Sequence, residues 1–238
     1  MLRRIADRCL KGGVFVTTGS KEAMAKANYA NLPINHNEAP IRLFKSDILE
    51  FFTHIHPVTV LVLFVPIAVF FMARALAHGA AVAPVFLAYA AGIFVWSLSE
   101  YLLHRFVFHF EPKSEFLQSV WYLIHGVHHE QPQCKTRLVM PPILSIPLAL
   151  LFYGLFEGIM GVLLGMPRMS GPVFSGFVTG YLCYDMMHYA EHHLSMRWGF
   201  LKYLKRYHLR HHFKNPDHGF GVSSPVWDVV FRTKPKDS

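Results

Sequence analysis

Four tight groups of histidines, all from residue 104 onward, constrain this chain more than any other feature. They are His104 and His109; His125, His128 and His129; His188 and His192, with His193 beside them; and His208, His211 and His212. The groups lie at the ends of apolar stretches long enough to cross a bilayer. A neutral imidazole offers one lone pair to a metal while its other ring nitrogen stays available for a hydrogen bond. Leaving His193 aside, ten such rings are too many for one ion and a natural number for two. Any fold of this chain must carry helices through a membrane and still bring the four groups together.

The apolar stretches set the expected frame. A first span is expected over Pro57–Ala77, with Arg74 near its far end, where it can snorkel to the interface. A second covers Val82–Leu103 and carries Glu100 near its end. A third fits Pro142–Leu164, and the turn GMPRMSGP separates it from a fourth over residues 172–189. Glu157 leaves open a reading of the third stretch as a buried core helix. With four spans, the segments 104–140 and 190–238 emerge on one side together with the N-terminus. All ten clustered histidines can then meet at one membrane face; three or five spans would separate them. The expected architecture is therefore an all-α integral membrane protein, with about four transmembrane helices and a helical cap holding a dinuclear metal site. Residues 1–50 form a polar N-terminal segment and 51–238 the membrane domain.

Charge gives the sidedness. Residues 1–50 hold eight Lys/Arg, 104–140 hold four and 190–238 hold nine, whereas the opposite turns hold little beyond Arg168. By the positive-inside rule the histidine side is cytoplasmic, in a bacterial inner membrane or an endoplasmic reticulum membrane. Composition agrees with a lipid-facing surface: 53% of residues are hydrophobic and 16% charged, against about 25% charged in soluble domains. Cys9, Cys134 and Cys183 are scattered and form no CxxC pair, which argues against a disulfide framework or a thiolate metal site. No secretory signal is visible in the first 50 residues. The net charge of +8 suits anionic lipid or an acidic protein partner; beside these apolar stretches, nucleic acid is not the expected partner.

Spacing sorts the rings. Residues three and four apart share a helix face, so each HxxHH turn (His125–His129 and His208–His212) can present two rings to one ion and a third to its neighbour. His188 and His192 can clamp one ion. His104 and His109 lie about 140° apart on an α-helix and are expected to serve different ions or to straddle a helix end. The resulting partition gives one metal His104, His125, His128, His208 and His211, and the other His109, His129, His188, His192 and His212. Ligating histidines usually donate their second N–H to a carboxylate or carbonyl. Glu100, four residues before His104, and Asp185, three before His188, are the expected acceptors. Tyr184 and His193 are candidates for the surrounding shell. His36, His54, His56 and His78 read as ordinary interfacial side chains, and His218 stays unassigned.

All-nitrogen ligation suits zinc, copper, iron or nickel. The Glu-x-x-His pairs of carboxylate-bridged di-iron bundles are missing, as is the HExxH motif of zinc proteases. Ten rings around two ions point to a redox pair that activates dioxygen. A membrane metal-binding or transport protein is the non-enzyme alternative. It would place histidines along a path across the bilayer, whereas here they gather on one side.

Five blocks carry a resemblance further: EYLLHRFVFHFEP (100–112), LIHGVHHEQP (123–132), RLVMPP (137–142), GYLCYDMMHYAEHH (180–193) and KYLKRYHLRHHFKNPDHGFGVSSPVWDVVFRT (202–233). In these the chain resembles the fatty acid 2-hydroxylase branch of the fatty acid hydroxylase/sterol desaturase superfamily. The resemblance implies a di-iron monooxygenase, with iron expected for activity and zinc possible in isolated protein. It would use O2 to hydroxylate C2 of a long fatty acyl chain, free or as the N-acyl chain of a sphingolipid. A desaturase or sterol oxidase of the same superfamily is the competing enzyme reading. Some members carry a fused cytochrome b5 domain, and no HPGG haem motif occurs in these 238 residues. The resemblance then implies a separate electron donor, b5-like or a ferredoxin. The basic residues Lys202, Lys205, Arg206, Arg210 and Lys214 could dock an acidic carrier or attract anionic headgroups.

Overall fold

The computed structural model describes residue 32 and residues 34–235. Most of the expected N-terminal segment, Cys9 included, and the last three residues therefore lie outside the described residues. The described chain is helices and loops. A short helix α1 (Asp47–Phe51) leads into α2 (Pro57–Ala77) and α3 (Val82–Leu103). At His104–Phe108, α3 continues as a π-helical turn. Helix α4 (Glu115–Trp121) passes through a second π-helical turn, Tyr122–Gly126, into α5 (Val127–Glu130). Then come α6 (Pro142–Phe156), with a π-helical extension Glu157–Leu163, and the long α7 (Pro167–His193). Helices α8 (Gly199–Phe213) and α9 (Val226–Val230) complete the cap.

Among the described residues, three helices are long and apolar enough to cross a membrane: Pro57–Ala77, Val82–Phe108 and Pro142–Leu163. They coincide with the first three expected spans. The fourth expected span lies within α7, whose 27 residues reach about 40 Å but whose composition is less apolar. The reason is its place. Helix α7 sits between α2, α3 and α6 and buries most of one flank against each. Phe64 packs on Tyr181 and Ser175 Oγ donates to the Ala68 carbonyl at 2.7 Å, so α2 and α7 run antiparallel. Phe152 and Phe156 of α6 pack on Phe177. A helix surrounded by protein does not need lipid-soluble side chains; it needs small ones where neighbours come close.

Helix α3 comes closest. It runs parallel to α7, with Gly92 against Val173–Phe177 and Gly176 against Tyr89. A Cβ on Gly92 would lie 2.0 Å from the Val173 carbonyl oxygen, and one on Gly176 would lie 1.9 Å from that of Tyr89. Both obstacles are backbone, so the helix axes would have to separate. Gly176 and Gly180 form the small-xxx-small spacing that lets membrane helices approach. This contact fixes the direction of α7. The C-terminal ends of α3 and α7 arrive at the same end of the bundle, which is where the histidines are.

Lipid-facing surface is abundant on the outer helices. Val62, Val69 and Phe70 of α2, Phe86, Leu87 and Phe94 of α3, and Leu150, Leu151, Val162 and Leu163 of the α6 arm are exposed. So large an apolar belt marks a surface meant for lipid. Ahead of α2, Ile48 and Phe51 of α1 are also exposed. Glu50 accepts from the Leu43 and Phe44 amides at 2.9 and 2.7 Å and pairs with the buried Arg137. Arg137 also donates to the Ile41 carbonyl and lies 3.1 Å from His54 Nε2. The arginine of the RLVMPP block thus straps residues 41–54 to the loop before α6, and His54 is part of that strap rather than a free interfacial side chain.

Candidate metal centre

The chain geometry at each cluster decides where its rings point. His188 and His192 are one α-helical turn apart on α7, and His208 and His212 are one turn apart on α8. His125 and His129 stand four apart across the junction of the π-helical turn with α5. At the end of α3 the π-helical turn replaces the 3.6-residue period. The His109 amide donates to the His104 carbonyl at 3.0 Å, an i→i+5 bond that brings residues five apart onto one face.

The ten rings form two groups, each with one nitrogen per ring within 4.8 Å of the others. One contains His104, His109, His125, His129 and His211; the other contains His128, His188, His192, His208 and His212. All ten expected residues meet, but not in the expected partition. His109 and His129 belong with His104, while His128 and His208 belong with His188. The partition failed for two physical reasons. It paired rings three apart (125 with 128, 208 with 211), whereas the structure pairs those four apart. It also treated the end of α3 as α-helical, which would have sent His104 and His109 to different ions. Each HxxHH turn gives its first and third histidines to one group and its second to the other. His128 crosses from the His125 turn and His211 from the His208 turn.

The two groups abut. The His129 and His212 rings stack at 4.0 Å with 23° between planes, and His128 meets His129 and His125 as well as His188, His192 and His212. Within the groups, ring nitrogens face each other at short range: His104 Nε2 and His125 Nε2 at 3.1 Å, His109 Nε2 and His211 Nε2 at 3.0 Å, His192 Nε2 and His208 Nε2 at 2.9 Å. With metal–nitrogen bonds of about 2.1 Å, two nitrogens at right angles on one ion stand about 3.0 Å apart. Both ring nitrogens of His128, His188 and His212 are buried without a hydrogen-bond partner among the described residues. Buried polar atoms are costly to leave unsatisfied, and an ion in each group would satisfy one nitrogen per ring. The residues fit two metal ions.

Electrostatics prepares the rings for that role. Burial is the leading cause that holds His125, His129, His208, His211 and His212 well below the ordinary imidazole value, and neighbouring rings push in the same direction. His128 is pushed down to about 3, mainly by burial. Neutral imidazole is the metal-binding form.

The second layer differs from expectation. Glu100 does not reach His104. It accepts from the Val222 and Ser223 amides at 2.9 and 2.8 Å and from the Ser223 hydroxyl. Asp228 accepts from the Phe220 and Gly221 amides at 3.0 and 2.7 Å and from Thr233 Oγ1 at 2.7 Å. Two buried carboxylates thus clamp the loop 220–223, and the loop does the orienting. His104 Nδ1 donates to the Phe220 carbonyl at 2.5 Å, and His211 Nδ1 donates to the His218 carbonyl at 2.8 Å. Carbonyls fill the role that the spacing gave to a carboxylate, because the GFGVSSPVWD block folds back over the first group. Asp185 faces the Tyr181 hydroxyl and the Met140 backbone, not an imidazole. Tyr184 lies over His188, ring centroids 5.7 Å apart and 29° between planes. His193 belongs to neither group and packs on Tyr189. Sequence reasoning missed Glu191 altogether. It is fully buried, with Oε2 4.0 Å from His208 Nδ1. Its place one residue before His192 was a signal: a carboxylate inside a histidine cluster near bilayer depth needs a reason.

Residues 89–233 match the fatty acid hydroxylase family, a stretch that contains all ten histidines. A dihydroceramide fatty acyl 2-hydroxylase of Arabidopsis thaliana is 38% identical over 207 residues, covering 87% of this chain and 85% of the relative. A ceramide very long chain fatty acid hydroxylase of Saccharomyces cerevisiae is 41% identical over 175 residues, 72% of this chain and 44% of the relative. The solved structure of full-length scs7p, in which only the hydroxylase domain is visible, superposes with a TM-score of 0.75 at 38% identity, covering 81% of this chain and 72% of that one. Apolar spanning helices, a histidine-rich cap and these matches together place the chain: it belongs to the fatty acid hydroxylase family, a membrane oxidoreductase of the fatty acid 2-hydroxylase branch.

Proposed function

We propose that the two groups of five histidines hold two iron ions and that the protein hydroxylates C2 of a long acyl chain, using O2 and electrons from a separate donor. The observation that carries this reading is the pair of abutting five-nitrogen groups at one end of an apolar bundle. Bound iron would supply dioxygen activation there. The substrate class follows the relatives, whose names specify dihydroceramide and ceramide acyl chains; a free fatty acid or the N-acyl chain of a sphingolipid is the proposed substrate here.

The chain's own task is placement. An apolar crevice lined by Phe64, Trp96, Met140, Phe152, Phe177 and Tyr181 starts about 10 Å, two helical turns, below His188. An acyl tail seated along it would bring the first carbons under the rings, beside Tyr184. The crevice holds only about 20 Å³ of free space, so the tail has to part its walls. Its lipid-facing wall is α6, through Leu148, Ala149 and Phe152. Placing C2 and excluding water are the protein's contributions in such chemistry.

The proposed orientation puts the histidine end on the cytoplasmic side, where Lys202, Arg206 and Arg210 line one exposed groove on α8. His208, His211 and His212 project from the same helix into the metal groups. A b5-like or ferredoxin-type acidic carrier docked in that groove would lie one helix diameter, about 10 Å, from the rings.

The deciding experiment is lipid mass spectrometry after expression with an electron donor, wild type against His128→Ala. The expected result is 2-hydroxylated acyl chains in the wild type and none in the variant. New double bonds without a C2 hydroxyl would assign a desaturase instead. Metal accumulation without oxygen consumption would assign transport.

A further inference from the structure

The far end of the bundle contains a second polar site. A cavity of about 310 Å³ is lined by Arg74 and His78 from the end of α2, Glu157 from the arm of α6, and Pro167, Arg168 and Gly171 from the start of α7. Arg168 and His188 are twenty residues apart on α7, about 30 Å along the helix. That is the thickness of a hydrocarbon core, so this cavity sits at the membrane interface opposite the histidines.

Its lining selects an anion. None of the ion pairs formed among the described residues uses Arg74 or Arg168. The start of α7 adds the positive end of a helix dipole, with Pro167 in its first turn and no side-chain cap from Met166. His78 is fixed by Nδ1 on the Arg74 carbonyl at 2.8 Å. Glu157 is the single acidic group among the described residues that line the cavity, and the Tyr153 hydroxyl lies beside it and Arg74. Two guanidiniums against one carboxylate leave a formal charge of +1, the complement of a monoanionic phosphodiester. Glu157 then remains to accept a hydrogen bond from a headgroup hydroxyl. Phe70, one residue before the lining Phe71, and Val162, Leu163 and Leu164, on the chain between the lining Glu157 and Pro167, are exposed apolar side chains for acyl tails to lie against.

We propose that this cavity binds the phosphodiester headgroup of an anionic, hydroxyl-bearing phospholipid in the leaflet opposite the metal centre. The site depends on the membrane orientation and not on the hydroxylation chemistry, so each can fail without the other. The test is native mass spectrometry of the purified, metal-loaded protein in detergent, titrated with phosphatidylglycerol or phosphatidylcholine, with inorganic phosphate as a third arm. Wild type should retain one phosphatidylglycerol with a preference of about tenfold over phosphatidylcholine, as charge-assisted guanidinium–phosphate contacts allow. Arg74→Gln/Arg168→Gln should remove the preference and leave metal content intact. Glu157→Gln, which takes away the repelling charge, should strengthen retention and serves if the double variant does not fold. Equal retention of both lipids by wild type, or an undiminished preference in the double variant, overturns the site. Displacement of the lipid by inorganic phosphate overturns the lipid assignment in favour of a free phosphate.

Discussion

The two groups of five histidines are alike in residue type and opposite in support. In the first, two rings are steered by backbone carbonyls. His104 and His211 donate to Phe220 and His218, and the loop that supplies Phe220 is clamped by Glu100 and Asp228. In the second, no carbonyl among the described residues steers His128, His188 or His212. The nearest carboxylate, that of Glu191, stands off from His208 at 4.0 Å. A ring held before the ion arrives loses less freedom on binding. The first group is therefore the one preorganised for an ion, and the second is the one whose rings would gain their order from it.

The sharpest way to break this comparison uses the two crossing histidines. His128→Ala removes a ring from the second group and leaves the first with all five; His211→Ala does the reverse. Each should lower hydroxylase activity on the order of 100-fold or more, since the reaction proposed needs both ions. They should differ in metal content. His128→Ala is expected to keep about one tightly held ion per chain, measured by elemental analysis after gel filtration. His211→Ala, which strips the preorganised group of a carbonyl-steered ring, should lose metal from both groups during the same procedure. Equal retention by the two variants would remove the distinction.

A subtler probe leaves all ten rings in place. Glu100→Gln and Asp228→Asn each keep the shape of the clamp and remove its charge, so the loop 220–223 loosens and the Phe220 carbonyl drifts from His104. Changes in groups that orient metal ligands cost about 10–100-fold in metal affinity. Chelator competition should find that loss in the first site alone. Glu191→Gln is the counterpart for the second site, with a smaller effect of about tenfold, because the 4.0 Å separation leaves a weaker contact to lose.

These contrasts also mark how far the sequence could be read. The ends of α2 and α3 follow directly from the apolar stretches, because lipid leaves a side-chain pattern that needs no partner to interpret. Helix α7 was harder. Its Gly176 is set by the backbone of α3 and its Gly180 by the Trp96 side chain, not by lipid, so α7 carries a weaker apolar signal than its neighbours. The ten histidines that meet were legible as a set, because clustered histidines have few other uses. Their division into two groups was not, since it turns on rings four apart pairing instead of those three apart and on one i→i+5 bond at His109, neither of which composition announces. Nor were the clamps of Glu100 and Asp228, which join residues more than a hundred positions apart in one case and act through a loop in both. Spacing rules see neighbours along a helix; they are blind to a loop that folds back over it.

The smallest effect is an expected constancy. Rings at the ordinary imidazole value near 6.5 would each be about nine-tenths protonated at pH 5.5. Five such ligands would cost a site about 10⁵ in affinity between pH 8 and pH 5.5. In both groups burial holds the rings lower, His128 to about 3 and His125, His129, His208, His211 and His212 well below 6.5. Metal affinity should therefore change by less than about twofold per site between pH 8 and pH 6.5, and by far less than 10⁵ down to pH 5.5. The same shift has an opposite face in the metal-free protein. Between the depressed folded values and 6.5, the unfolded chain binds more protons than the folded one, so stability rises with pH across that window. Metal-free protein should thus lose stability as pH falls below about 6.5 and show no contribution from these rings above it. Parallel titrations of metal content and thermal unfolding separate the two. If the second site released its ion near pH 6.5 while the first kept its own, the rings of the second group would be titrating as ordinary imidazoles, and the difference between the groups would lie in burial instead of in the loop that steers the first.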